Sequence, residues 1–225
     1  MAGSVRVPRA QARFTCCAIA AFALVTLAAG LVTWHKYQLL AEPLTRGPYV
    51  DNPFVEADTY FRNLMGWRTA LLLMALLQFS VWLASMRDVA DVLWRQGQRR
   101  RRAWLVFGWV IPVAQLFVPK MFVNDLWAAG RPEPGRRRGH PLLTAWWLSV
   151  LVAANAYSDA YDHLRKAAGV SQARLALRQL MIGDGLYLCA AALSVVVVGQ
   201  LVRRLERAAQ TVIAPVEVRP AIPAR

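Results

Sequence analysis

The sequence predicts an all-α polytopic membrane protein. It has four transmembrane helices, one re-entrant or interfacial segment broken by glycine and proline, and amphipathic cytoplasmic helices. Three observations lead there. Hydrophobic residues make up 57% of the 225 and charged residues 18%, which is more apolar than soluble domains usually are. The charges fall in blocks between long apolar runs, the pattern of a chain that crosses a bilayer repeatedly. The net charge of +14 comes from basic residues abutting those runs. Such flanks orient spans by the positive-inside bias and do not form a nucleic-acid reading motif.

Residues 1–13 carry Arg6, Arg9 and Arg13 and no acid, and are expected to be a cytoplasmic N-terminus. Residues 14–34 are an apolar run ending on Trp34, long enough to span. A cleaved secretory signal is the rival reading, with small residues at Ala28, Ala29 and Gly30. The length of the run and its aromatic end favour a retained span. Residues 35–66, with Pro43, Pro48 and Pro53, read as an outer loop. The second span is 67–86, with Arg68 near its outer end and able to snorkel. Met86, Val89, Ala90, Leu93 and Trp94 then continue a helical stripe into the cytoplasm, with Arg87 and Asp91 paired on its wet side.

Residues 103–119 decide the topology. The segment is short for a span, and Pro112 interrupts it. If it crossed, Lys120, Arg131, Arg136, Arg137 and Arg138 would lie outside. The positive-inside bias therefore favours a segment that re-enters or lies in the interface. Residues 120–130 read as an interfacial helix with Phe122, Val123, Leu126 and Trp127 on one face and Lys120, Asn124 and Asp125 elsewhere. The third span is 141–157, opened by Pro141. A second outer loop covers 158–180, and the fourth span is 181–202. One transmembrane domain thus covers 14–207, and 208–225 reads as a disordered cytoplasmic tail. The setting that follows is a membrane with both termini on its cytoplasmic side.

The central block resembles a known family. Gly108-Trp109-x-Ile111-Pro112, then Leu116 and Pro119, then Asp125-x-Trp127 carry the resemblance, together with Trp94-Arg95 upstream and Trp146-Trp147 downstream. These residues are similar to the bacterial membrane family catalogued as domain of unknown function 4328, over roughly residues 67–207. Gln115 and Phe117 stand where the family pattern has Asn and Trp. The resemblance implies architecture and membrane localisation and no reaction.

Several residues carry candidate chemistry. Pro112 disturbs backbone pairing at a depth where water is scarce. It marks either a polar vestibule lined by residues 108–115 or a structural kink anchored by Trp104 and Trp109. Asp184 is the only acidic residue in an expected span, which makes it an intramembrane candidate. Gln115, Asn155 and Asp184 are the polar set available to a conduit. Asp159, Asp162 and His163 could form a weak outer metal site, but no further ligands are visible and solvated loop charges are the far commoner explanation. Cys16, Cys17 and Cys189 have no zinc or disulfide spacing. No catalytic constellation, cofactor motif or metal set is apparent.

The basic clusters Arg99, Arg100, Arg101 and Arg102, and Arg136, Arg137 and Arg138, suit anionic lipid of the inner leaflet or a protein partner. An Asp125–Arg95 pair is expected between the two cytoplasmic helices. Thr26/Gly30 and Ala190/Ser194 offer small-residue surfaces for close packing within or between chains. The leading functional class is a non-enzymatic interaction or scaffold module. The alternative is a small oligomeric channel or transporter subunit.

Overall fold

Apolar runs with prolines only at their borders give long helices, and the chain forms them. The computed structural model describes residues 7–40, 53–94, 103–104, 107–108, 111, 114–131 and 139–213. In order these are α1 (Arg9–Leu39), α2 (Pro53–Trp94), a 3₁₀ turn (Ala114–Leu116), α3 (Val118–Ala129), α4 (Pro141–Lys166) and α5 (Val170–Ile213). The described residues are helical with no strand. Helices α1, α2 and α5 are long and apolar enough to cross a membrane. Only 28%, 33% and 28% of their most apolar windows are buried inside the protein. Leu24, Leu31, Leu73 and Leu77 are exposed, and an apolar surface of that extent is suited to hydrocarbon.

The expected outer loops are shorter than the sequence suggested. Helix α1 continues to Leu39 because Lys36, 4% exposed, has partners on α2. Its Nζ lies 2.6 Å from the Asp58 carboxylate and 4.3 Å from the Phe61 ring centre. Asp58 also faces Arg62 at 3.3 Å. At the second loop α4 runs on to Lys166, with Asp162 paired to Lys166 one turn away. Helix α5 starts at Val170 after a turn in which the Ala168 amide donates to Gln172 Oε1 at 3.0 Å. Most of 158–180 is therefore helix. At the other end α5 reaches Ile213, so 208–213 is helix and not tail. Residues 214–225 lie outside the described residues.

Helix α1 packs between α2 and α5, and α5 packs along α4. Helices α2 and α4 meet mainly through long side chains. The Phe79 and Trp146 rings are 6.0 Å apart, and the Tyr157 hydroxyl donates to Met65 Sδ at 2.8 Å. Arg9 on α1 pairs with Glu206 on α5, its Nη2 donating to Oε2 at 3.0 Å, so the start of α1 and the end of α5 share one end of the bundle. Two of the small-residue surfaces serve packing inside this chain. Gly30 faces Asp184, and Ser194 accepts the Trp146 indole N–H at 2.8 Å.

That shared end holds the largest core, built from Trp82, Leu83, Met86, Phe122, Leu126, Trp127, Leu143, Trp146, Trp147, Leu201 and Leu205 with their neighbours. Helix α3 lies across it against α2, α4 and α5. This corrects the interfacial reading of 120–130: its apolar face, with Phe122, Val123, Leu126 and Trp127, is covered by protein. Asp125, expected on the polar side, is buried at 4% exposure. Arg87 likewise leaves the wet side. It is buried, its guanidinium 5.5 Å from the Phe122 ring centre and 4.0 Å from Asp91.

Gly108 is required by a close approach. A Cβ there would fall 2.6 Å from Val118 Cγ1, well inside van der Waals contact. Gly108→Ala is expected to lower stability by about 1–3 kcal/mol through overpacking. Gly108→Ala/Val118→Ala should recover part of that loss in thermal unfolding followed by tryptophan fluorescence.

Candidate functional site

Arg68 lies four helical turns after the start of α2, and Asp184 lies a similar distance into α5. Both residues therefore stand well inside their helices and not at the helix ends. They are level with Phe22 and Gly30 of α1, inside its apolar run. Arg68 is 5% exposed and Asp184 4%. Their side chains face each other, Arg68 Nη2 lying 3.4 Å from Asp184 Oδ1. That oxygen has no hydrogen-bond partner, so the contact is an ion pair without hydrogen-bond geometry.

Aromatic rings enclose the guanidinium. Its central carbon is 3.6 Å from the Tyr157 ring centre, 4.8 Å from Tyr187 and 5.9 Å from Phe22. Tyr187 meets Phe22 and Tyr157 edge to face. Gly183 allows this geometry: a Cβ there would stand 3.2 Å from Tyr157 Cα, so α4 and α5 approach closely and bring Tyr157 over Arg68. The ring faces offer cation–π attraction to the buried guanidinium, and Asp184 balances the charge that burial would otherwise leave unpaired. A cleft of about 350 Å³ between α2 and α4 has Arg68, Thr69, Tyr157, Ser158 and Tyr161 among its walls.

A second cluster sits at the opposite end. The Trp127 ring lies between the Arg204 guanidinium, 4.0 Å from its centre, and the His140 ring at 4.4 Å. His140 caps α4, its Nδ1 accepting from the Leu142 amide at 3.3 Å. Burial, Arg131 and Arg204 hold the imidazole below its ordinary value of 6.5.

Residues 54–207 match the family described as Domain of unknown function (DUF4328). The chain belongs to that family. No curated protein and no solved structure matches it. The DUF4328 stretch includes Arg68, Tyr157, Asp184 and Tyr187, whereas α1, which supplies Phe22, precedes it.

The residues singled out in the sequence are distributed unevenly. Asp184 joins the buried pair. Asn155 is exposed and donates to the Leu151 carbonyl of its own helix at 2.8 Å. Gln115 is exposed in the 3₁₀ turn at the other end. The polar trio therefore occupies separate surfaces, a correction to the shared intramembrane site. Of the family motif, Gly108, Pro119, Asp125 and Trp127 are buried and Trp94 packs against the large core. Arg95, Trp109, Pro112, the four arginines at 99–102 and the three at 136–138 lie outside the described residues, as does the proposed Asp125–Arg95 pair. Asp159, Asp162 and His163 are not brought into a ligand set. Asp162 pairs with Lys166, and His163 contacts Asp159 and Gln179. Among the described residues no group of three His, Cys, Asp or Glu could hold a metal.

Arg68 is the buried, paired residue that the snorkelling interpretation missed. The available signal was its complement: one base in one expected span and one acid in another, each close to the same expected boundary.

Removing one partner of this pair leaves a buried charge uncompensated. Arg68→Gln and Asp184→Asn should each cost about 3–5 kcal/mol, and the double variant should cost less than their sum, measured as shifts in thermal unfolding in detergent. At the other end, the folded protein binds the His140 proton less tightly than the unfolded chain does. Its contribution to stability is complete above pH 6.5 and declines as pH falls from there through the depressed value. A pH series of melting temperatures should show this loss, and His140→Asn, which keeps a capping oxygen, should flatten it.

Proposed function

We propose that this protein is a non-enzymatic docking module of the bacterial cytoplasmic membrane. It crosses the membrane four times, has both termini inside, and presents a basic, aromatic inner face to anionic lipid and a partner protein. Helix α4 is the third span, joining α1, α2 and α5 as crossing helices. Its 26 residues make about 39 Å of helix, longer than the roughly 30 Å hydrocarbon core, and it packs along α5.

The observation that carries this reading concerns residues 103–117. Trp104 and Ala114 pack against the same core as Val118, which supports a segment that enters and leaves at one end. Trp147 Nε1 donates to the Leu116 carbonyl at 2.8 Å and ties the turn to α4. Phe107, Ile111, Leu116 and Phe117 are exposed. An apolar edge of this kind suits the acyl boundary of the inner leaflet, and the neighbouring arginine runs suit its anionic surface. A conduit has less support, because Gln115 and Asn155 lie away from Asp184 and the Arg68–Asp184 charges balance each other.

Two measurements test the proposal. In a variant whose native cysteines are replaced, single cysteines at Gly97 and Lys120 should both be labelled only from the inside; outside labelling at Lys120 means that the segment crosses. Gentle-detergent purification from native membranes should yield a stoichiometric partner, lost when Arg99, Arg100, Arg101 and Arg102 become alanine and weakened by Phe117→Ala. A homo-oligomer with no partner would overturn the docking role.

A further inference from the structure

The α2–α4 cleft lies far from the inner docking face and has two chemically different parts. Arg68, Thr69, Ser158 and Tyr161 bring polar groups to its walls, and Met65 and Leu72 bring apolar ones. Leu72 and Tyr187 also wall a second cavity, of about 90 Å³, which continues toward Ala75, Phe79 and Trp146 and is almost entirely apolar. The two cavities are therefore neighbours with a common wall: Arg68 borders one, and apolar side chains line the other. Asp184 sits behind the guanidinium and does not line the cleft. The rim residues Thr69, Ala154 and Ser158 are exposed, and the surrounding helix surface carries exposed Leu73, Leu77 and Val152. The mouth thus opens sideways onto the lipid-facing surface.

We propose that this cleft binds one membrane phospholipid, with its phosphate on Arg68 and one acyl chain in the slot below Leu72. An arginine presents several N–H donors in a planar fork that matches phosphate oxygens. The Ser158 and Tyr161 hydroxyls add donors at the rim, a set richer than a carboxylate's two oxygens require. The directed N–H donors of Arg68, with the rim hydroxyls, recognise the phosphate oxygens, and the sideways mouth leaves the second chain on the apolar exterior. The rings of Tyr157 and Tyr187 hold the guanidinium in place before the lipid arrives, which reduces the cost of ordering it. The lipid would come from the leaflet opposite the basic end, and its binding is independent of any partner at that end.

The test uses the full-length protein in detergent with dioleoyl phosphatidylglycerol, read by native mass spectrometry. Wild type is expected to retain one phospholipid under activation that strips the rest. Ala154→Trp blocks the mouth from an exposed position and leaves the ion pair untouched. It should reduce retention by about tenfold, equivalent to roughly 1.4 kcal/mol, with an unchanged melting temperature. Leu72→Trp, at the wall that the two cavities share, should do the same. Equal retention in wild type and Ala154→Trp would overturn the site. Displacement of the phospholipid by an equal concentration of palmitate would overturn the phosphate assignment in favour of a single-chain carboxylate.

Discussion

One arginine and one aspartate buried at the same depth constrain how the helices meet. A buried charge left without a partner is costly, and Arg68 on α2 and Asp184 on α5 face each other. Helix α1 lies between α2 and α5 for most of its length, and Gly30 and Phe22 border the pair from that side. Helix α4 must approach closely enough for Tyr157 to cover the guanidinium, which Gly183 permits. Register, facing and spacing of four helices thus converge on one contact.

The bundle is built unequally along its length. At the end carrying Arg9 and Glu206, α3 seals a large core rich in tryptophan, and the indoles of Trp146 and Trp147 are bonded to Ser194 and Leu116. At the level of Ile19, Ala75 and Ala191 the core narrows to small clusters, and there the apolar slot appears. Beyond the ion pair, Phe61, Ala160, Leu177 and Leu180 close the far end. Dispersion contacts scale with the atoms available. The tryptophan-rich end therefore has the larger packed core, and the gap between α2 and α4 lies where the core is thinnest.

Much of the architecture was legible in the residues. The apolar runs announced α1, α2 and α5, and the stripe from Met86 to Trp94 announced the continuation of α2. The central motif announced the family, whose match extends from 54 to 207. The outer loops were misread because charges and prolines resemble loop composition. The ion pairs Lys36–Asp58 and Asp162–Lys166 keep those stretches helical, and pairing across turns or between helices is invisible to a hydropathy window. The polar set of Gln115, Asn155 and Asp184 was assembled by residue type alone, and their different faces separate them.

By itself the sequence determined an all-helical membrane chain, the positions of its apolar runs and the basic blocks that flank them. These follow from local composition and period, which depend only on neighbours along the chain. Tertiary structure alone decided that the apolar face of α3 is spent on protein, that Asp125 and Arg87 are buried, and that Arg68 pairs with Asp184 inside an aromatic enclosure. The partners in each case come from different helices. An amphipathic stripe shows that a face must be covered, but only the packing of the other helices determines whether lipid or protein covers it.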